Sequence, residues 1–422
     1  MRIIENTFLR HVLRDPLRLN ASFLISASWF NAIAGFLFWA VASRLYKVEA
    51  VGEATALISA GGLVIAVSGL GMGIGAIRFF AEEKNKNLLI NTAITIVVST
   101  SIILSTIFIF ILDYWLPAFS FIRSNSIQVP IFILFCIFSS VFLLYNNIFT
   151  AFLRAQYAFY QNLVVASKII FVIILVQLNG LGIFVAYTIG LIVAVLIANI
   201  FFRRLYIGYK LKPTLDRTVL KNILFFSVGN YIGDTLKNIL SFTMALCVIN
   251  ILGAEQNAYY YIAWMMAGLL FNIAYSVNNS FVADNAANTL SLRTQIFKSF
   301  KFVAIILIPS GITLYLVGGY ILELFGESYS FESLGLLQLL IISSVPLAIN
   351  EIGIAVLRVQ KRVVPVILIY AFNTCLTITM SCILLNTVGI MGFGIAWLCA
   401  NIMTLCIVVV INLKYLVKSP ST

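Results

Sequence analysis

An aspartate and a lysine one turn apart inside an apolar stretch, Asp234 and Lys237, are the residues of this sequence best placed to do chemistry. With Ser227, Asn230 and Ser241 they recur every three or four residues, which on a helix draws one polar stripe along an otherwise apolar rod. Two roles suit the pair. They can neutralise each other as an i, i+3 ion pair, or Lys237 can contact an anionic ligand while Asp234 tunes it or carries a coupling cation. Lys168 has no acidic neighbour within a turn, so it needs an aqueous cavity, a snorkelled path to headgroups or a partner on another helix, and the cavity is the expectation here. Glu351 follows Asn350 and lies near Pro346, where a broken helix would bare backbone carbonyls; cation coupling and a structural hydrogen bond suit it equally. Asn146, Asn147, Asn272, Asn278 and Asn279 add amides suited to sugar hydroxyls or to bonds between helices. A charge at mid-membrane costs about 2.5–3.5 kcal/mol on insertion scales, so the few present are expected to face water or a partner.

Other chemistries are excluded by residue type. His11 is the only histidine, which rules out a Ser/His/Asp or Cys/His relay within the apolar spans and a multi-histidine metal site. The six cysteines, Cys136, Cys247, Cys375, Cys382, Cys399 and Cys406, lie in apolar windows without a CxxC pair and read as small core residues. Gly69-Leu70-Gly71-Met72-Gly73-Ile74-Gly75 resembles a nucleotide fingerprint only superficially, because it ends an apolar span and follows no strand; close helix packing or local unwinding is expected there. No GxxxxGK[ST] occurs, so neither ATP nor any other cofactor is expected.

The elements that must position these residues follow from composition. The chain is 62% hydrophobic and 10% charged, with mean hydropathy +1.05, so lipid is the solvent for most of its surface. Each crossing takes about 20 apolar residues with its backbone bonds closed internally, which predicts helices rather than strands. Twelve spans are expected at about 18–43, 52–77, 88–112, 127–153, 157–178, 181–203, 221–250, 256–283, 300–322, 334–356, 363–386 and 390–413. With both termini cytoplasmic, all but five of the 27 Lys and Arg fall on the inner side, the exceptions being Arg44, Lys47, Arg123 and the intramembrane Lys168 and Lys237. The net charge of +12 therefore reflects topology, and no nucleic-acid partner is expected. Residues 1–17 are too polar for a signal-peptide core, so the first span is expected to be retained. Arg10, Arg14 and Arg18 read as a basic flank interrupted by Pro16.

The basic polar stretch from Arg203 to Lys221 divides the spans six and six. The expected organisation is a cytoplasmic segment 1–17, an N-lobe 18–205, a linker 206–220, a C-lobe 221–413 and a tail 414–422. Internal echoes agree with it. Leu153-Arg154-Ala155-Gln156 returns as Leu357-Arg358-Val359-Gln360, Gly182 with Ala186-Tyr187 returns as Gly392 with Ala396-Trp397, and Glu49 returns as Glu255, at offsets of 204, 210 and 206. Six is even, so the copies have the same orientation and an axis along the membrane normal, with a ligand cavity expected between them at mid-membrane. Subtracting 206 maps Lys237 onto Asn31 and Asp234 onto Ser28. Loops outside the membrane are too short to house catalysis, so a carrier is expected and not an enzyme; a membrane glycan polymerase or ligase would need a sizeable outer domain.

The stretches Phe38-Trp39-Ala40-Val41-Ala42-Ser43-Arg44-Leu45-Tyr46, Val51-Gly52-Glu53-Ala54-Thr55-Ala56-Leu57-Ile58-Ser59 and Gly75-Ala76-Ile77-Arg78-Phe79-Phe80 resemble the polysaccharide-biosynthesis (Wzx-type, O-antigen) flippases. These belong to the multidrug/oligosaccharidyl-lipid/polysaccharide exporter superfamily. The resemblance implies an all-α, V-shaped pair of six-helix lobes that passes a polyprenyl-(pyro)phosphate-linked oligosaccharide from the inner to the outer leaflet by alternating access. It implies cavity cations that hold phosphate or acidic sugar, for which Lys237, Lys168 and Arg78 are the candidates, with Asn31, Asn230 and Asn146 beside them and Asp234 and Glu351 as ion-coupling groups. Partners would be the lipid-linked glycan, the cytoplasmic-membrane bilayer and glycan-assembly enzymes, with the protein itself a monomer. A multidrug or metabolite antiporter of the same superfamily is the second reading. A major-facilitator carrier is disfavoured, because Ala81–Asn87 lacks that family's Gly-rich basic signature.

Overall fold

The computed structural model describes residues 16–80, 82–83, 85–115, 119, 127–206, 208–287 and 292–417; within them, the side chains of 16–18, 21, 112–115, 224–234, 237, 283–284, 286–287 and 414–417 are not described. Arg10 and Arg14 lie outside these residues. Fourteen α-helices account for the described chain, in the order α1 (Pro16–Leu45), α2 (Val48–Ser68), α3 (Met72–Phe79), α4 (Lys86–Trp115), α5 (Gln128–Ala151), α6 (Ala155–Val165), α7 (Lys168–Ile174), α8 (Asn179–Leu205), α9 (Arg217–Leu252), α10 (Ala254–Ala287), α11 (Leu292–Glu323), α12 (Glu327–Val359), α13 (Val363–Val388) and α14 (Met391–Val417). Pro16 opens α1, where its missing N–H costs nothing. Glu49 and Glu255 sit in the first turns of α2 and α10, where a carboxylate suits the helix dipole.

Eleven helical segments among the described residues are long and apolar enough to cross a membrane, and the chain is a multi-pass all-α membrane protein. The seventh expected span is one continuous 36-residue helix, α9, in which Asn238–Leu252 is an apolar stretch of described residues. Two expected spans are interrupted. The second bends through Gly69–Gly71, with Leu70 and Gly71 both left-handed, before α3 begins, so the glycine run unwinds the helix. The fifth breaks at Ala166–Ser167, between α6 and α7. Pro346, by contrast, does not break its helix: α12 runs through it, and Pro309 is likewise internal to α11.

Contacts divide the chain into two compact units, Met1–Ala50 with Leu57–Tyr231, and Val51–Ala56 with Ile232–Thr422. In the first, α5 packs against α3, α4, α6 and α8; in the second, α12 packs against α10, α11, α13 and α14. The same neighbours thus surround each unit's fourth span, which is the internal repeat expressed as packing. Burial separates centre from rim, since the span of α12 is 67% buried and that of α11 only 22%, its remainder offering Ile, Leu, Phe and Tyr to lipid. Interhelical polarity in the first unit is met by small hydroxyls, with Ser140 Oγ 3.0 Å from both Ser68 Oγ and Ser101 Oγ.

The repeat also governs backbone detail. Asn179 and Gly389, 210 apart, open α8 and α14 with matching positive-φ conformations (φ 49°, ψ −140° and φ 63°, ψ −150°). Gly182 and Gly392, at the same offset, lie where a Cβ would come within 2.2 Å of the Leu175 carbonyl oxygen and 2.5 Å of the Leu384 carbonyl oxygen. The Leu-Arg-x-Gln echo is displaced by a turn. Leu153 and Arg154 form the bend after α5, whereas Leu357 and Arg358 are still helical and the bend falls at Gln360–Lys361.

Candidate functional site

Glu351, on α12, is 2% exposed in the heart of the second unit. An ionised carboxylate there requires donors, and two neighbouring helices provide them. Asn278 of α10 donates from Nδ2 to Glu351 Oε2 at 2.6 Å and to its backbone carbonyl at 3.1 Å, and the Tyr370 hydroxyl of α13 lies 3.1 Å from both carboxylate oxygens. A polar cavity of about 230 Å³ opens beside it, lined by Asn238, Tyr275, Asn278, Asn279, Glu351, Arg358 and Tyr370. The Arg358 guanidinium carbon stands 6.0 Å from the centroid of the Tyr370 ring. A smaller space of about 30 Å³, enough for one water, continues towards Asn350, Asn373, Asn401 and Thr404. The Oδ1 atoms of Asn278 and Asn350 are buried without a hydrogen-bond partner. Glu351 thus borders both spaces, with Asn278 lining the larger and Asn350 the smaller, and oxygen donors of this kind suit a hard monovalent cation or a proton.

The first unit carries the same framework without the charge. The echo reaches back from Leu153 and Leu357 to Asn146-Asn147-Ile148 and Asn350-Glu351-Ile352, so Asn147 occupies the place of Glu351. Asn147 abuts Gly73, where a Cβ would come within 2.2 Å of its Nδ2, and Gly73 stands 205 residues before Asn278. Asn146 instead joins an amide cluster across α5 and α6, donating to Gln161 Oε1 and accepting from Asn162 Nδ2, each at 3.2 Å.

Among the described residues of the first unit the buried charge is Lys168, the first residue of α7 and 4% exposed. Its Nζ lies 3.9 Å from the centroid of the Tyr187 ring on α8 and 4.9 Å from that of Phe38 on α1, which form an aromatic cover. Gly190 makes room for it, since a Cβ there would lie 3.0 Å from Lys168 Cβ. Desolvated cation–π contacts of this kind are worth about 2 kcal/mol. Arg78 is about half exposed and ion-pairs with Glu82 one turn on, and Asn31 is exposed on α1. The side chains of Asn230, Asp234 and Lys237 lie outside the described residues, as does that of Ser227. Cys136 is buried while Cys375 and Cys406 are exposed on apolar helices, so lipid-facing packing as well as core packing accounts for the thiols. Among the described residues no group of three or more His, Cys, Asp and Glu is placed to hold a metal.

Sequence reasoning missed Tyr370, Gln161, Asn162 and the Phe38–Tyr187 cover. A tyrosine or phenylalanine in an apolar window carries no mark that distinguishes a charge partner from filler. The amides Gln161 and Asn162, adjacent and opposite Asn146, could have been found by asking which polar side chains of neighbouring spans sit at equal depth.

The sequence model of a family described as polysaccharide biosynthesis protein matches residues 17–273. No individually curated protein matches the chain in sequence. Among solved structures, an inward-facing multidrug resistance MATE family transporter of the MOP superfamily superposes with a TM-score of 0.70 at 17% identity, covering 93% of this chain and 96% of that one. The lipid II flippase MurJ, in an inward closed conformation, gives 0.72 at 16% identity over 94% of this chain and 88% of that one. A MOP superfamily transporter from Pyrococcus furiosus gives 0.54 at 15% identity over 95% and 96%. At these identities the likeness is one of fold.

Proposed function

The chain belongs to the polysaccharide biosynthesis protein family, and from that premise we propose that it is a flippase which carries polyprenyl-(pyro)phosphate-linked oligosaccharide from the cytoplasmic to the outer leaflet. By family and fold it is a membrane transporter and not an enzyme. The match over residues 17–273, well over half the chain, carries the reading, and the fold shared with a lipid II flippase supports it. In this reading α9 is the seventh of twelve spans, the lobes are 18–205 and 221–413 joined by 206–220, and the segments 1–17 and 414–422 are cytoplasmic. Alternating access then exposes the cargo site to one leaflet at a time. Lys237 and Arg78 supply positive charge for the phosphate, and Asn31, Asn230 and Asn146 supply amides for sugar hydroxyls. Lys168, covered by Phe38 and Tyr187, contributes by fixing the junction of α1, α7 and α8 unless those rings part. Glu351 with the free amide oxygens of Asn278 and Asn350 takes a coupling cation, and Asp234 is the second candidate for that role.

Deletion of the gene in a host that makes the glycan should raise the lipid-linked repeat units on the cytoplasmic face and deplete them outside. An unchanged distribution across the two faces would sink the reading. A multidrug or metabolite antiporter is favoured by one observation, the equally close fold of a multidrug resistance transporter. Lys237→Ala separates the two: loss of glycan export supports the flippase, while loss of drug resistance with export intact supports the antiporter.

A further inference from the structure

The connector between α8 and α9 is stitched to the flank of another helix. Asn87 Nδ2 donates to the Gly208 carbonyl at 3.2 Å and Asn91 Nδ2 to the Lys210 carbonyl at 2.8 Å, while Thr95 Oγ1 accepts from Thr214 N at 3.1 Å and Thr92 Oγ1 from Asp216 N at 3.3 Å. All four side chains belong to the first three turns of α4. Asn87 to Thr95 is about 12 Å along a helix axis, against a headgroup layer of about 5–8 Å on each side of the hydrocarbon. The connector is therefore pinned along the first turns of α4, from the headgroup layer to the adjoining edge of the span expected at 88–112. Tyr209 adds an anchor, buried against the Phe202 ring at 5.8 Å.

What this strap displays is one-sided in charge. Arg203, Arg204, Lys210, Lys212, Arg217 and Lys221 are all exposed. The single acid of the stretch, Asp216, is committed to capping α9, its Oδ1 accepting from Thr218 N and Val219 N at 2.9 Å each. Between the cations Leu211 and Leu215 are 48% and 62% exposed. In bulk water exposed leucines among lysines gain nothing. At a bilayer interface the leucines enter the acyl boundary while ammonium and guanidinium groups lie among phosphates.

We propose that residues 203–221 form an interfacial strap that binds the headgroups of anionic phospholipids in the leaflet at the N-terminal end of α4. The partner is fixed by charge complementarity and by depth: the cations are pre-positioned by the stitching to α4, so little ordering entropy opposes binding. The inference stands apart from the identity of the transported cargo and from the sidedness of the protein.

The test uses the full-length protein in nanodiscs of phosphatidylcholine with and without phosphatidylglycerol, read by native mass spectrometry of retained lipid and by unfolding temperature. Wild type should retain phosphatidylglycerol selectively and unfold at a higher temperature when it is present, an increment that shrinks with salt. Arg204→Gln/Lys210→Gln/Lys212→Gln should reduce retention on the order of 100-fold, taking about 1 kcal/mol per cation, and abolish the increment. Its unfolding temperature in phosphatidylcholine alone should match wild type, because Lys210 meets α4 only through its carbonyl. If that triple variant fails to fold, Lys210→Gln/Lys212→Gln gives the same reading with a smaller loss. Undiminished phosphatidylglycerol retention in a folded variant overturns the proposal. So does displacement of the lipid by inorganic phosphate, which would mark a soluble-anion site instead.

Discussion

At the scale of single residues the two units differ by a charge at equivalent places. Asn350-Glu351 in the second aligns with Asn146-Asn147 in the first at the 204-residue offset, and the carboxylate lines a polar cavity with Asn278. Glu351→Gln keeps the shape and the acceptor for Tyr370, so folding should be retained while any sodium or proton dependence of transport disappears; persistence of that dependence in proteoliposomes would exclude Glu351 from coupling. Glu351→Ala leaves the Tyr370 hydroxyl without its acceptor and the Asn278 amide with only the residue-351 backbone carbonyl, and should cost about 1–3 kcal/mol, measured by unfolding in detergent. Lys168→Met offers the converse test. Methionine fills the same volume and sulfur also favours aromatic edges, so transport should survive with a stability change of about 1 kcal/mol if Lys168 only braces the rings. Abolished transport in a folded variant would instead mean that Lys168 reaches the cargo. Both charges were legible in the sequence because charge in an apolar window is costly. Their partners were not, since Phe38, Tyr187, Asn278 and Tyr370 come from other helices and have types that apolar spans use for packing.

At the scale of elements, the sequence carried the order of the long helices and one of their two interruptions. The glycine run at Gly69–Gly75 announced a weak point, and the chain does unwind there. The break at Ala166–Ser167 had no such marker, because neither residue is a helix breaker; Gly190, on the facing helix, is what admits the displaced backbone of Lys168. Pro346 misled in the opposite direction, since a proline within a long, well-packed helix can be absorbed by its neighbours. The repeat makes a sharper element-level prediction. Gly182→Val and Gly392→Val each drive a side chain into the backbone carbonyl of the preceding helix, so each should lower stability by about 1–3 kcal/mol or more and reduce membrane yield. Gly35→Ala and Gly268→Ala, where nothing lies within 4 Å of the added carbon, should be neutral. Equal losses at all four sites would mean that close helix approach is not what those glycines serve.

For the whole molecule, eleven helical segments among the described residues are long and apolar enough to cross, and whether α9, which carries the Ser, Asn, Asp and Lys stripe, crosses as a twelfth decides the topology of everything after it. The sidedness of four charged residues answers it. If α9 crosses, Lys47 and Glu327 share the outer side while Lys210 and Lys361 share the inner one; if it does not, Glu327 and Lys361 exchange sides relative to Lys47 and Lys210. All four are exposed, so cysteine substitution at each in a variant lacking the six native cysteines should leave the fold intact. A membrane-impermeant maleimide applied to intact cells should label Lys47→Cys and Glu327→Cys at once, and Lys210→Cys and Lys361→Cys only after permeabilisation. Labelling of Lys361→Cys in intact cells, with Glu327→Cys protected, would remove α9 from the set of spans. It would also remove the even count of six per repeat on which two copies of one orientation depend.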